Sequence, residues 1–251
     1  MHFLESRPLV VPQVEARSIA VLVSDSKGIR LEQIREDTSL PLIFLYKKGA
    51  TTKDLVDLLI QEFPRLTKGH KPVTVYFWGG TCDITEKQGK YINIRGKVTD
   101  TVSSVVKELH RAKDFILGNN CRIKFIGIPI YLVSLYNDIK GHRNPTVFLD
   151  SDKEVEVQVD LLNTHIEQIN QGLGRNTLKF NADLRDCRRG KKRYFFELLS
   201  DGLHPRHLLS QKWLRRLELD IIRECYTPCD ALEVDEQEFL SFQHGEQGRK
   251  H

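Results

Sequence analysis

The sequence predicts one α/β domain, a doubly wound parallel sheet in a three-layer arrangement. Three observations predict it. Short, nearly continuous apolar runs recur along the chain. Longer stretches of helical period alternate with them. The glycines and polar residues of chemical interest fall just after the runs, where such sheets carry their sites.

The strands are taken in order. "SIAVLV" (18–23), "LPLIFLY" (40–46), "PVTVYF" (72–77) and "IKFIGIPI" (123–130) read as buried strands, with "TLKFNAD" (177–183) a weaker fifth. Strands apolar on both faces need helices on both faces, joined by right-handed crossovers.

Helices fill the gaps. In 51–63, Leu55, Leu58, Leu59 and Phe63 form one stripe behind a Thr51 or Thr52 cap. In 100–117, Val102, Val105, Val106, Leu109, Ala112 and Ile116 repeat, with Asp100 or Thr101 as cap and Gly118 as stop. Val159, Leu162, Ile166 and Ile169 mark a third helix over 157–174, ending at Gly172 or Gly174. Leu209, Trp213, Leu217 and either Asp220 or Ile221 mark the inner face of the last, 207–225. The polar stretch 136–154 has no clear period and reads as a long loop. The domain is expected over 17–226, with poorly ordered ends at 1–16 and 227–251.

Bulk composition narrows the function classes. The chain has 251 residues, 40% apolar and 29% charged, so it can bury a core. A net charge of +4 does not imply nucleic acid without a local basic patch. No apolar run reaches the ~18 residues of a membrane span, and the N-terminal segment lacks the apolar centre of a secretory signal. Five cysteines, an odd and sparse set, fit reduced thiols in an intracellular protein, cytoplasmic or nuclear. Cys225 and Cys229 lack two further ligands at zinc-site spacing, so neither metal nor cofactor is expected.

The turns after the runs carry the chemistry. "VSDSKGIRL" places Ser26 after the first strand, as helix cap or as nucleophile. "YKKGATTKDL" places Gly49 after the second, where unpaired helix N–H groups could hold an oxyanion or another anion, with Lys47 and Lys48 adding charge. It is not the G-x-x-x-x-G-K-[ST] phosphate loop. "WGGTCDIT" follows the third, and its Trp78 either lines the site or fills the core. "DGLHP" sets Asp201 three residues before His204, close enough for the carboxylate to reach the ring. It is equally a turn leading into a helix with Pro205 near its first position.

Together these stretches resemble the SGNH (GDSL-like) hydrolase superfamily over residues 18–224. "SDS" (24–26) stands where the family has G-D-S, with Ser24 in place of glycine. Gly49 stands at the second block, "GTCD" (80–83) at G-x-N-D, and "DGLH" (201–204) at D-x-x-H. More loosely, the chain is similar to the SGNH-type domains in open reading frames of animal retroelements. The resemblance implies a five-stranded, flavodoxin-like parallel sheet of order 2-1-3-4-5. It implies a serine esterase, deacetylase or lipid acyl hydrolase with Ser26 as nucleophile, His204 as base and Asp201 orienting it. Gly49 and the Gly80, Thr81, Cys82, Asp83 turn would hold the oxyanion and the small-molecule or lipid ester.

One position departs from the pattern. The family's asparagine offers an N–H₂ where Cys82 offers only a weak S–H donor. Thr81, Thr85 and Ser24 are candidate replacements, and Cys82 itself is a candidate nucleophile if its thiol ionises. A catalytically weak SGNH-like binding module is therefore the alternative to an enzyme. A phosphate or flavin site is a third reading, which leaves Asp201 and His204 idle. The basic segment "RDCRRGKKRYFF" (185–196) reads as a solvated loop with Phe195 and Phe196 dipping into the core. Its Arg188, Arg189, Lys191 and Lys192 are also the expected contact for nucleic acid or another anionic partner.

Overall fold

The computed structural model describes residues 11–36, 40–69, 71–188 and 191–226. The two expected loose ends thus fall largely outside the described residues, as do Arg189 and Cys229. Residues 11–16 run without regular structure, and Glu15 pairs with Lys71 at 2.5 Å.

β1 (Ile19–Ser24), β2 (Leu42–Tyr46) and β3 (Val73–Trp78) form where the apolar runs predict strands. β1 pairs in parallel with both others, Ala20 lying opposite Leu42 on one side and Thr74 on the other. α1 (Ser26–Ile34) joins β1 to β2, and α2 (Thr52–Leu66) joins β2 to β3. The chain leaves β1 toward one edge and then returns past it to the other. The crevice at the carboxyl ends of β1 and β3 is therefore the switch point of the sheet, the place where open α/β sheets carry ligands.

Beyond β3 come a short helix α3 (Thr81–Ile84) and an antiparallel hairpin, β4 (Thr85–Gln88) and β5 (Tyr91–Ile94), which has no counterpart in the sequence reading. α4 (Val98–Gly118) then crosses to β6 (Arg122–Phe125). α4 starts at a Lys97 cap, earlier than Asp100, and runs through Gly118 to Asn119. Its Val102, Val105, Leu109, Ala112 and Ile116 are buried. Each large apolar side chain there contributes roughly 1.5–3 kcal/mol relative to exposure.

The 136–154 stretch is not a loop. α5 (Val133–Ile139), a 3₁₀ turn (Pro145–Phe148) and the start of α6 (Leu149–Gly172) occupy it. Its polar residues supply helix ends: Asp150 and Asp152 lie in the first turn of α6, where carboxylates favour the helix dipole. Asp152 also accepts the Ser134 N–H at 3.0 Å, tying α6 to α5.

The parallel sheet has four strands, in the order β2-β1-β3-β6, rather than five. Of the run read as a fifth strand only Leu178 pairs, through one parallel bridge to Ile126. The chain then coils into a 3₁₀ turn (Phe180–Asp183), where Phe180 stacks on Trp213 at 5.0 Å and meets Trp78 edge-on at 5.1 Å. The chain leaves the ladder where that aromatic cluster forms. Two amides from α6 take up backbone groups at the end of β6 and just past it. Asn170 accepts from the Phe125 N–H at 2.9 Å and donates to its carbonyl at 2.7 Å. Asn163 does the same for Ile128 at 2.7 and 2.9 Å. Buried backbone groups need such partners, and a side-chain amide matches a peptide in kind.

The basic segment is likewise a hairpin, β7 (Arg185–Arg188) against β8 (Lys191–Tyr194), not a loop. Arg185 grips Asp160 of α6 through two bonds of 2.9 Å, and Tyr194 stacks on Phe196, which packs on the core. Phe195 is half-buried beneath Arg193 instead. α7 (His207–Tyr226) closes the fold, packing on α1 while α2, α4 and α6 pack together. Both Asp220 and Ile221 face inward, Asp220 because Lys124 of β6 meets it at 2.7 Å. Among the described residues no helix is long and apolar enough to cross a membrane.

Candidate active site

The end of β1 makes the first wall. Asp25, not Ser26, caps α1: its carboxylate accepts the Lys27 N–H at 3.0 Å. Ser26 is the first residue of the helix, and its hydroxyl is thereby left for another partner. That partner is His204, whose Nε2 lies 2.9 Å from Ser26 Oγ across 178 residues of chain.

His204 Nδ1 in turn lies 2.8 Å from Asp201 Oδ2. A carboxylate only accepts, so Nδ1 carries the hydrogen and Nε2 is free to accept from the serine. Asp201 is itself held: its Oδ1 accepts the backbone N–H of His204 at 2.7 Å and of Leu203 at 3.1 Å. Burial pushes the Asp201 carboxyl up, but these bonds and the charge of His204 outweigh it and hold the carboxyl down at about 2. The turn is closed by Ser200 N–H donating to the His204 carbonyl at 2.7 Å. Pro205 does not open the helix. It pairs with Leu199 in an isolated bridge, and α7 begins at His207.

The end of β2 runs beside the first wall. Lys47 N–H donates to the Ser24 carbonyl at 3.2 Å, and the chain turns through Gly49 at φ 68°. The first donors of α2 are already taken. Thr51 and Asp54 form a capping box, and Thr52 gives both its N–H and its hydroxyl to Asp83 Oδ2 at 2.8 Å. This leaves little of the helix start for a phosphate or flavin. Lys47 pairs with Asp54 at 3.0 Å, while Lys48 is exposed.

The end of β3 makes the opposite wall. Gly80 turns at φ 116°, and a Cβ there would sit 2.3 Å from Ile128 Cδ1, so only glycine fits. Thr81 is 3% exposed and its hydroxyl accepts from Lys27 Nζ at 2.8 Å. Cys82 is part-exposed. Burial first, then the charge of Asp25, push its thiol up to about 12, so it stays protonated and is a poor nucleophile. Burial also lifts the Asp83 carboxyl to about 6 despite the two bonds from Thr52.

The other candidate donors, Thr85 and Ser24, are both buried. Thr85 Oγ1 donates to the Thr81 carbonyl at 3.3 Å, beneath the Tyr131 hydroxyl at 3.3 Å from both. Ser24 is fully buried, its Cβ under Gly28. Trp78 is fully buried too, edge-on to Trp213 at 5.5 Å, so it belongs to the core.

The structure thus brings Ser26, His204 and Asp201 into one hydrogen-bonded chain. Gly49 and the Gly80–Asp83 turn lie beside it, at the ends of the neighbouring strands. The side chains of Arg188, Lys191 and Lys192 are outside the described residues, as is all of Arg189. Sequence reasoning missed Lys27, which reads as an ordinary outward helix residue, and Tyr131, hidden after an apolar run. Among the described residues, no three His, Cys, Asp or Glu side chains gather as a metal would require.

No protein-family model and no curated protein matches this sequence. Solved structures do. A Bacteroides fragilis protein assigned as an acylhydrolase superposes with a TM-score of 0.59 at 15% identity, over 82% of this chain and 87% of its own. A GDSL-like lipase of Bacteroides thetaiotaomicron gives 0.58 at 12% identity, over 83% and 89%. A lipase/acylhydrolase of Enterococcus faecalis gives 0.53 at 14% identity, over 84% and 98%. With its strand order, its covering helices and these likenesses, the chain has the fold of the GDSL-like, or SGNH, hydrolases.

Proposed function

We propose that the protein is a serine hydrolase that cleaves carboxylic esters, with Ser26 as nucleophile, His204 as general base and Asp201 as its orienting acid. The observation that carries this is the unbroken chain Ser26 Oγ–His204 Nε2–Asp201 at 2.9 and 2.8 Å. As Ser26 Oγ bonds to the ester carbonyl carbon, its proton passes to His204 Nε2. The carbonyl oxygen becomes an oxyanion facing the Ser26 and Gly49 N–H groups and the Gly80–Asp83 turn. His204 then protonates the leaving alcohol. Water repeats the sequence on the acyl-serine, releasing the acid and restoring Ser26.

The names of the similar structures, a lipase and acylhydrolases, point to acyl or lipid esters as the substrate class. Turnover of p-nitrophenyl acetate and labelling of Ser26 by a fluorophosphonate are expected. Folded protein that shows neither would sink the reading.

A second reading rests on Cys82. Losing one oxyanion donor costs ~10²–10³ in kcat in another serine hydrolase. A weak or inactive SGNH-like module, holding a lipid or nucleic-acid partner within a mobile-element protein, would tolerate that loss. Its nucleic-acid form predicts that changing Arg188, Arg189, Lys191 and Lys192 together to Ala abolishes RNA or DNA retention.

A further inference from the structure

Lys27 follows Ser26 directly, yet its side chain is 2% exposed. A buried ammonium is costly unless it is paired and hydrogen-bonded. Here it is both. Nζ donates to Asp25 Oδ2 at 2.5 Å and to Thr81 Oγ1 at 2.8 Å, and lies 5.3 Å from the Trp78 ring centroid. It bridges the turn after β1 to the turn after β3, the two walls of the site.

Asp25 makes that ammonium matter. Its carboxylate is 1% exposed and sits one residue before Ser26. Its negative charge is felt at Cys82, Asp83 and Tyr131, where it opposes ionisation in each case. An oxyanion forming at the same turn would meet the same opposition. Lys27 acts in the opposite sense at Cys82.

We infer that Lys27 is a positioning and charge-compensating residue of the site. It fixes the nucleophile turn against the oxyanion turn, and it partly offsets the buried Asp25 charge that opposes the oxyanion. This rests on the hydrolase reading. It also assigns the shortfall at Cys82 a partial remedy: the turn lacks an amide donor, and Lys27 weakens the opposing field behind it.

The test uses Lys27→Gln, whose amide can bond Asp25 and Thr81 without charge, and Asp25→Asn/Lys27→Gln, where neither residue is charged and Asn still caps α1. Lys27→Gln is expected to lower kcat about tenfold or more with KM little changed. The double variant is expected to recover most of that loss. A merely structural ion pair would show its loss and recovery in the melting curve, whereas charge compensation at the site shows them in kcat of folded protein. Should Lys27→Gln not fold, as judged by circular dichroism and a melting curve, the double variant alone decides: near wild-type kcat supports compensation. Wild-type kcat in folded Lys27→Gln, or a double variant as slow as the single one, overturns the inference while leaving the hydrolase reading intact. Wild-type protein that neither turns over ester nor labels at Ser26 overturns both.

Discussion

Two carboxylates flank the site and titrate in opposite directions. Asp201, beside His204, is held at about 2. Asp83, beneath the turn after β3, is lifted to about 6. Both are penalised by burial and both accept backbone hydrogen bonds. The difference lies in what else faces them. Asp201 has a histidine ring and its charge in direct contact, and these reverse the penalty. Among the described residues Asp83 is bonded by the N–H and hydroxyl of Thr52, Arg95 acts by charge alone, Asp25 opposes its ionisation, and desolvation wins. The lesson is that the two walls are built differently. The histidine wall is polar, half-open and tuned for a negative acid. The turn after β3 is buried and resists negative charge, which is the condition under which, on the proposed hydrolase reading, Lys27 and the absent amide donor count most.

The largest effects are expected at the histidine wall. Ser26→Ala and His204→Ala should each lower kcat/KM for p-nitrophenyl acetate by about 10³-fold or more, and should cost the pair no more together than either alone. Simple multiplication of the two losses would mean that they do not act as a unit. Next comes the pH dependence at Asp83. Its folded value lies above the ordinary 3.8, so ionising it opposes folding. Stability should fall as pH rises from about 4 to about 6, by about 3 kcal/mol. Asp83→Asn should flatten that window in denaturant unfolding, and an unchanged slope would refute the assignment.

The oxyanion wall can also be improved. Cys82→Asn restores an amide donor and should raise kcat about tenfold, with the gain in kcat rather than KM. An unchanged or lower rate would show that the thiol position does not face the oxyanion. Smallest is the acid limb at Asp201. Its folded value lies below the ordinary 3.8, so its contribution is present above that pH and is lost as pH falls toward about 2. Asp201→Asn should remove about 1 kcal/mol of that acid sensitivity, read from unfolding curves between those values.

Much of this was legible in the chain. Parallel strands at β1, β2 and β3 follow from apolar runs that leave no face for water. Ser26, Asp201 and His204 follow strands or turns where each alone could serve as a cap or turn residue, and it was their combination, in the order of the resemblance, that pointed to a site. The rest was hidden for physical reasons. The 136–154 stretch looks like a loop because its acids serve helix starts and ties between helices, not a solvent face of constant period. Leu178 and Phe180 look like a strand, but stacking on Trp213 outweighs further pairing. Lys27 looks exposed because sequence cannot show that Asp25 and Thr81 close around its ammonium.

The two asparagines on α6 have a consequence for how these molecules behave toward one another. A four-stranded sheet that ends at β6 would present a row of hungry peptide groups, a template for a strand from another chain. Asn170 occupies the groups of Phe125 on that strand with an amide that cannot propagate a ladder, and Asn163 does the same for Ile128 just past its end. The fold can thus stop one strand short without inviting its neighbours to supply the missing one.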